Sequence, residues 1–159
     1  MSEVTVRPLT PADGDALLAL IDGLAGFESL TLPDAEARLR VVADIGKRFH
    51  GLLAEVDGRA VGYAAFFETY TTFEGLPLLY LEDIFVEEEH RGTGAGLALF
   101  RACAEEALRR GCDALEWEVL DWNKRAKDFY ERLGGSHQKA WQFYRLGRDG
   151  LQRLSDEAR

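Results

Sequence analysis

The segment Arg91-Gly92-Thr93-Gly94-Ala95-Gly96 restricts the fold of this chain more than any other stretch of its 159 residues. It lies between the apolar run Leu78-Leu79-Tyr80-Leu81-Glu82-Asp83-Ile84-Phe85-Val86 and an amphipathic stretch from Gly94 to Arg110. A strand must turn into a helix there within a few residues, and glycine tolerates the left-handed dihedrals such a turn uses. Closely spaced glycines also let successive N–H groups converge, while the helix N-terminus adds partial positive charge. Together with Arg91 they suit an anion. The plainer reading is a tight turn that needs glycine for geometry alone. Two rival phosphate motifs are excluded by spelling. A P-loop needs Gly-Lys-Ser/Thr, but Gly96 is followed by Leu97, and Leu97 also stands where a dinucleotide fingerprint places its third glycine.

The rest of the chain supplies the elements around this turn. Val4 and Val6 alternate with polar neighbours and predict a first strand. Thr10-Pro11-Ala12-Asp13 opens a helix carrying Leu17, Leu18, Leu20, Ile21 and Leu24, with Gly26 as its expected stop. A second helix is expected from about Asp34 to Ile45, ended by Gly46. Leu52 to Val56 and Ala60 to Phe67 flank Asp57-Gly58, a hairpin signal. The run from Leu78 to Val86 is apolar on both faces, as in a strand covered from both sides. After the Gly94–Arg110 helix, closed by Gly111, a strand is expected from Ala114 to Leu120. A short helix should follow from Lys124 to Leu133, then a turn at Gly134-Gly135 and a last strand from Trp141 to Leu146. The segment after Gly147 reads as a tail or short helix. Hairpins first and crossovers later predict an α/β (α+β) fold in one domain, with a mixed sheet and helices on both faces.

Two further groups of residues point to chemistry. Glu82 and Asp83 interrupt the apolar strand, and strand geometry sends neighbours to opposite faces, so each carboxylate is expected in a greasy setting that shifts its proton affinity. Asp83 could equally accept structural hydrogen bonds from a neighbouring loop. Asn123 stands where a helix needs a cap, and Tyr130 follows two turns later. A phenol with an unperturbed pKa of ~10 stays protonated at neutral pH and can donate a proton; a core aromatic is the alternative for Tyr130. His50, His90 and His137 are scattered, so no metal is expected.

Composition narrows the setting. The 28 acids against 19 bases give a net charge of −9, which disfavours nucleic acid and suits a cationic partner. No run approaches a membrane span, and the N-terminus lacks the pattern of a secretory signal. Cys103 and Cys112 form no metal or disulfide framework, which fits a reducing, cytoplasmic location.

Arg91, Gly94 and Gly96 spell R-x-x-G-x-G, and the chain from about residue 3 to 146 resembles the GNAT superfamily of acetyl-CoA-dependent N-acetyltransferases. Tyr80-Leu81-Glu82-Asp83-Ile84-Phe85-Val86 and Leu120-Asp121-Trp122-Asn123-Lys124-Arg125-Ala126 are similar to the diamine and thialysine acetyltransferases within it. The resemblance implies a mostly antiparallel sheet with a splayed central strand pair and acetyl-CoA between the two strands. Ile84, Phe85 and Val86 would pair with the pantetheine arm. The N–H groups of Gly92, Thr93, Gly94, Ala95, Gly96 and Leu97, with Arg91, would hold the pyrophosphate. Asn123 would contact the donor near its reactive end, and Tyr130 would protonate the departing sulfur. Glu82 would take or relay the amine's proton, and Phe27, Glu28, Glu116, Trp117 and Glu118 would line the acceptor side. A small-molecule amine as substrate and a homodimer are implied as well. The same donor site would also serve a protein lysine or N-terminus, or a non-catalytic acyl-CoA binder. Tyr70-Thr71-Thr72 and Lys139-Ala140 lack the acids that diamine relatives place there, leaving fewer carboxylates for a polycation.

Overall fold

The computed structural model describes residues 3–157, in two compact units that divide between Glu118 and Val119. The first unit holds one sheet of five strands in the order β1-β2-β3-β4-β5. These are β1 Val4–Pro8, β2 His50–Val56, β3 Arg59–Thr71, β4 Leu76–Val86 and β5 Leu115–Trp117. The first four pair antiparallel, and β5 joins β4 in parallel. The β2–β3 hairpin closes through Asp57 (φ 51°) and Gly58 (φ 78°), both left-handed, as a tight hairpin turn requires.

Helix α1, Gly14–Glu28, covers one face of the sheet and α3, Ala95–Arg109, the other. Leu17 and Leu20 of α1 bury against Leu53, Tyr63, Ala65 and Phe85, while Leu99, Cys103 and Ala107 of α3 bury against Ala54, Val61, Ala64, Phe66, Leu79 and Leu81. Two apolar layers on one sheet explain why β4 reads as continuously greasy. Gly23 lets α1 press onto the sheet, since a Cβ there would stand 2.9 Å from the Phe85 ring. Helix α2, Ala35–Asp44, is capped by Asp34, whose side chain accepts from the Ala37 N–H at 2.8 Å.

Thr10 and Asp13 form a capping box around a 3-10 turn, Pro11–Asp13, and α1 follows it directly. Arg7 of β1 binds both Asp13 oxygens at 2.9 and 2.8 Å, so the first helix is tied to the first strand. The hydrogen bonds from Arg7 hold the Asp13 carboxyl well below the usual carboxylate range. Gly26 does not stop α1. The helix runs on through it to Glu28 and ends on Ser29 in the left-handed region (φ 56°). A glycine inside a helix lowers its stability without ending it when the next residues still pack, here Phe27 against the Arg91 guanidinium.

The second unit contains α4, Lys124–Arg132, and α5, Arg148–Glu157. The strand expected from Trp141 to Leu146 does not form. Those residues make no ladder, and Trp141, Phe143 and Tyr144 are 81%, 74% and 85% exposed. Alternating apolar residues mark a segment as able to pair, but a strand exists only where a partner edge receives it. The predicted strand from Ala114 to Leu120 likewise shortens to the three residues of β5. Among the described residues, no helix is long and apolar enough to cross a membrane.

Candidate active site

The decisive local irregularity lies in β4. Its register with β3 runs Gly62↔Val86, Tyr63↔Phe85, Ala64↔Ile84 and Ala65↔Asp83, then shifts to Phe66↔Leu81. Glu82 is left without a partner, as the extra residue of a β-bulge. The bulge resets the alternation. Leu79, Leu81, Ile84 and Val86 pack on the α3 side, and Tyr63 and Phe85 on the α1 side. Glu82 and Asp83 therefore face the same way, and the expectation of opposite faces is corrected. Glu82 is also exposed rather than embedded in apolar surroundings, whereas Asp83 is half-buried.

Both acids line a cavity of about 300 Å³ with Leu17, Ile21, Val41, Arg48, Phe49, Tyr63, Ala65 and Phe67. Its walls are apolar and aromatic, with a few polar groups converging on it, the usual make-up of a small-molecule site. Burial first, then the neighbouring Glu82 charge, pushes the Asp83 carboxyl up to about 6. Tyr63 is fully buried, and its hydroxyl has no hydrogen-bond partner in good geometry. Asp83 nonetheless stands close enough to act on it. Burial first and Asp83 second drive the phenol far above its ordinary value. Glu28, at the end of α1, adds its charge to the same group, and its own carboxyl is raised by burial.

Farther along β4, Tyr80 pairs with Glu116 across the parallel ladder. Burial, together with Glu118, pushes Tyr80 up to about 12, with Glu82 and Glu116 contributing. Glu116 and Glu118 thus belong to the acidic surroundings of β4. Trp117 does not. It points into the α3-side core, 5.1 Å from the Phe100 ring in an edge contact. Alternation about Glu116 and Glu118 sends it there.

The glycine turn lies at the other end of β4. Gly92 (φ 82°) and Gly94 (φ 95°) are left-handed, and Gly94 is the N-cap of α3. The helical ladder begins with the Ala98 N–H donating to the Gly94 carbonyl at 2.9 Å. Helix geometry therefore leaves the first-turn N–H groups of Ala95, Gly96 and Leu97 without intrahelical acceptors. The Thr93 hydroxyl donates to the His90 carbonyl at 2.7 Å and fixes the turn from within. Arg91 is held on three sides: its Nε donates to the Val86 carbonyl at 3.0 Å, and its guanidinium lies 4.6 Å from the Phe27 ring centroid and 5.7 Å from that of Phe85.

Pairing of β4 with β5 covers only Leu79–Leu81, while β4 runs on to Val86. Among the described residues, Ile84, Phe85 and Val86 thus have a strand partner only on the β3 side. Such an edge can take an extended ligand by main-chain hydrogen bonds.

In the second unit, Asn123 caps α4, its Oδ1 accepting from the Ala126 N–H at 3.1 Å. Tyr130 lies in the last turns of that helix, half-buried and 5.6 Å from the Phe129 ring. Glu87, Glu89 and His90 bring ligand atoms within 4.8 Å of one another in the first unit. Arg59 already serves as their cation, 2.7 Å from Glu87 and 3.1 Å from Glu89.

The model of the acetyltransferase (GNAT) family matches residues 19–135, which takes in the bulge, the glycine turn and the cavity lining except Leu17. The chain belongs to the GNAT acetyltransferase family. Over 98% of its length it is 34% identical to the thialysine N-epsilon-acetyltransferase of Bos taurus, 99% of which is covered. Over 58% of its length it is 40% identical to the L-ornithine N5-acetyltransferase of Arabidopsis thaliana, 41% of which is covered. An aminoglycoside N-acetyltransferase solved in complex with CoA shares the fold, with a TM-score of 0.78 and 22% identity over 92% of this chain and 96% of that one.

This GNAT protein is an acetyl-CoA-dependent N-acetyltransferase, and its glycine turn fits that donor. The first-turn N–H groups, the open space beside Gly92 and Gly94, and the anchored Arg91 suit a pyrophosphate. Tyr63 and Arg48 carry no local sequence pattern that marks them, because the cavity is assembled from α1, α2, the turn after α2, β3 and β4.

Proposed function

We propose that this GNAT enzyme acetylates a primary amine of a small molecule: a diamine, a polyamine or a lysine-like side chain. One observation carries the reading. The bulge at Glu82 turns two carboxylates into one small apolar-walled cavity, and both attract a substrate ammonium. The names of the thialysine and ornithine acetyltransferases support the same class of acceptor.

The donor supplies a thioester acetyl group. The chain's own residues bind, orient and move protons around it. N–H groups from Gly92 to Leu97 and the Arg91 guanidinium hold the pyrophosphate, and the Ile84–Val86 edge aligns the pantetheine arm. Glu82, exposed at the cavity, takes the proton of the bound ammonium directly or through water, since only the neutral amine is nucleophilic. Asp83, Glu28, Glu116 and Glu118 keep the acceptor side negative. Asn123 is assigned to the donor's reactive end and Tyr130 to protonating the departing sulfur, both on family resemblance. A homodimer is part of the same proposal, and sedimentation reads it directly.

The test is a panel of aliphatic primary amines offered with acetyl-CoA while thiol release is followed. Turnover confined to small amines is expected. Thiol release with peptides or protein N-termini, and none with any small amine, would overturn the reading.

A further inference from the structure

The acceptor cavity carries one feature that a site for a plain diamine does not need. Among its lining residues is a single cation, Arg48, from the turn between α2 and β2. The side chain is 83% exposed, and its recorded ion pair is with Asp44 at 3.8 Å, longer than a hydrogen bond. Arg48 makes no ion pair at 4.0 Å or less with Glu82 or Asp83 among the described residues. The cavity thus keeps a cation and two anions apart on apolar walls. Such an arrangement complements a ligand whose own charges are separated by a hydrocarbon stem.

The inner end supplies a second sign of a ligand. The Tyr63 hydroxyl is fully buried on the cavity wall beside Asp83 but meets no partner in good geometry, and a poorly satisfied buried polar group carries a free-energy cost that a bound amine would relieve. An amine at Tyr63, Asp83 and Glu82 places its carbon chain against Leu17, Ile21, Phe49 and Phe67. The volume, about 300 Å³, stands at the low end of the range for small-molecule sites, so the ligand is small.

We infer that Arg48 is the specificity-determining residue for a carboxylate on the acceptor, so that the substrate is an amino acid with a side-chain amine rather than a simple diamine. This rests on the small-amine reading above. The guanidinium fork matches a carboxylate geometrically, and at a diamine the same residue faces a second ammonium of like charge. Selection therefore comes from attraction to one class and repulsion of the other.

Lysine and cadaverine differ only by the carboxylate, which makes them the matched probes. With the intact protein and acetyl-CoA, kcat/KM for lysine should exceed that for cadaverine. Arg48→Met keeps the aliphatic stem and should lower kcat/KM for lysine roughly tenfold through KM, while kcat/KM for cadaverine rises as the like-charge repulsion is lost. Arg48→Lys should restore part of the preference, and Arg48→Glu should reverse it. A wild-type preference for cadaverine, or equal losses for both substrates in Arg48→Met, overturns the inference while leaving amine acetylation intact. Failure of the wild type to acetylate either probe or any other small amine, with CoA still bound, removes the small-amine reading and this inference with it.

Discussion

The guanidinium of Arg91 stands 4.6 Å from the centroid of the Phe27 ring, while its Nε is tied to the Val86 carbonyl. The end of α1, the end of β4 and the glycine turn therefore meet at one cation. Arg91 is oriented before any anion arrives, which lowers the ordering cost of binding. Phe27→Leu keeps an apolar side chain but removes the aromatic face. A partly exposed cation–π contact is worth ~0.5–1 kcal/mol, so CoA should bind about two- to fivefold more weakly, as titration calorimetry would show.

The glycines of the turn separate folding from binding. Gly94 is left-handed (φ 95°), so Gly94→Ala should destabilise the free protein by about 1–2 kcal/mol and weaken CoA binding as well. Gly96 is helical, and a Cβ there meets nothing closer than Val86 Cγ2 at 3.9 Å. Gly96→Ala should raise the stability of the free protein by roughly 0.5–1 kcal/mol yet still weaken CoA binding, because the added methyl keeps phosphate from the backbone. Thermal melts with and without CoA read both effects.

Asp83 should make stability depend on pH. Its folded-state value is raised from 3.8 to about 6, so between those values the folded protein holds a proton that the unfolded chain has released. Stability then falls as pH rises across that window, and the loss is complete above it. Asp83→Asn removes the loss. The variant should be more stable than wild type at neutral pH by about 1–3 kcal/mol, with the gain vanishing below about pH 3.8. Denaturant titrations at several pH values would show whether the two curves converge at acid pH.

Tyr130→Phe keeps the ring in α4 and deletes one proton donor. Turnover with the best amine should fall by ~10²–10⁴, while CoA affinity changes little. Near-normal turnover, where chemistry limits the rate, would make Tyr130 a packing residue.

Much of the fold was legible because periodicity is a local property. The apolar spacing of α1 and α3, the Asp57-Gly58 turn and the doubly covered β4 all appear where the sequence places them. Partnership is not local and leaves no such mark in the sequence. Trp141 to Leu146 has the pattern of a strand without a ladder, and Gly26 looks like a stop within a helix that continues. The site divides along the same line. Arg91, Gly92 and Gly94 declare a turn by spelling alone. The bulge at Glu82 depends on how β3 pairs with β4, so strict alternation put the two acids on opposite faces and gave Asp83 a structural part. Tyr63 and Arg48 became visible only once separate elements had assembled the cavity.

The central claim is that Glu82 and Asp83, brought together by the bulge, receive the substrate ammonium. The pH profile of kcat/KM for the best amine tests it most directly, because it reports the ionisation of the free enzyme. The account predicts a rise with a break near pH 6, where Asp83 becomes charged, and a lower break in kcat once the ammonium holds that charge. In Asp83→Asn the break near 6 should disappear. A break that persists unchanged in that variant, or a wild-type profile with no break there, would contradict the claim.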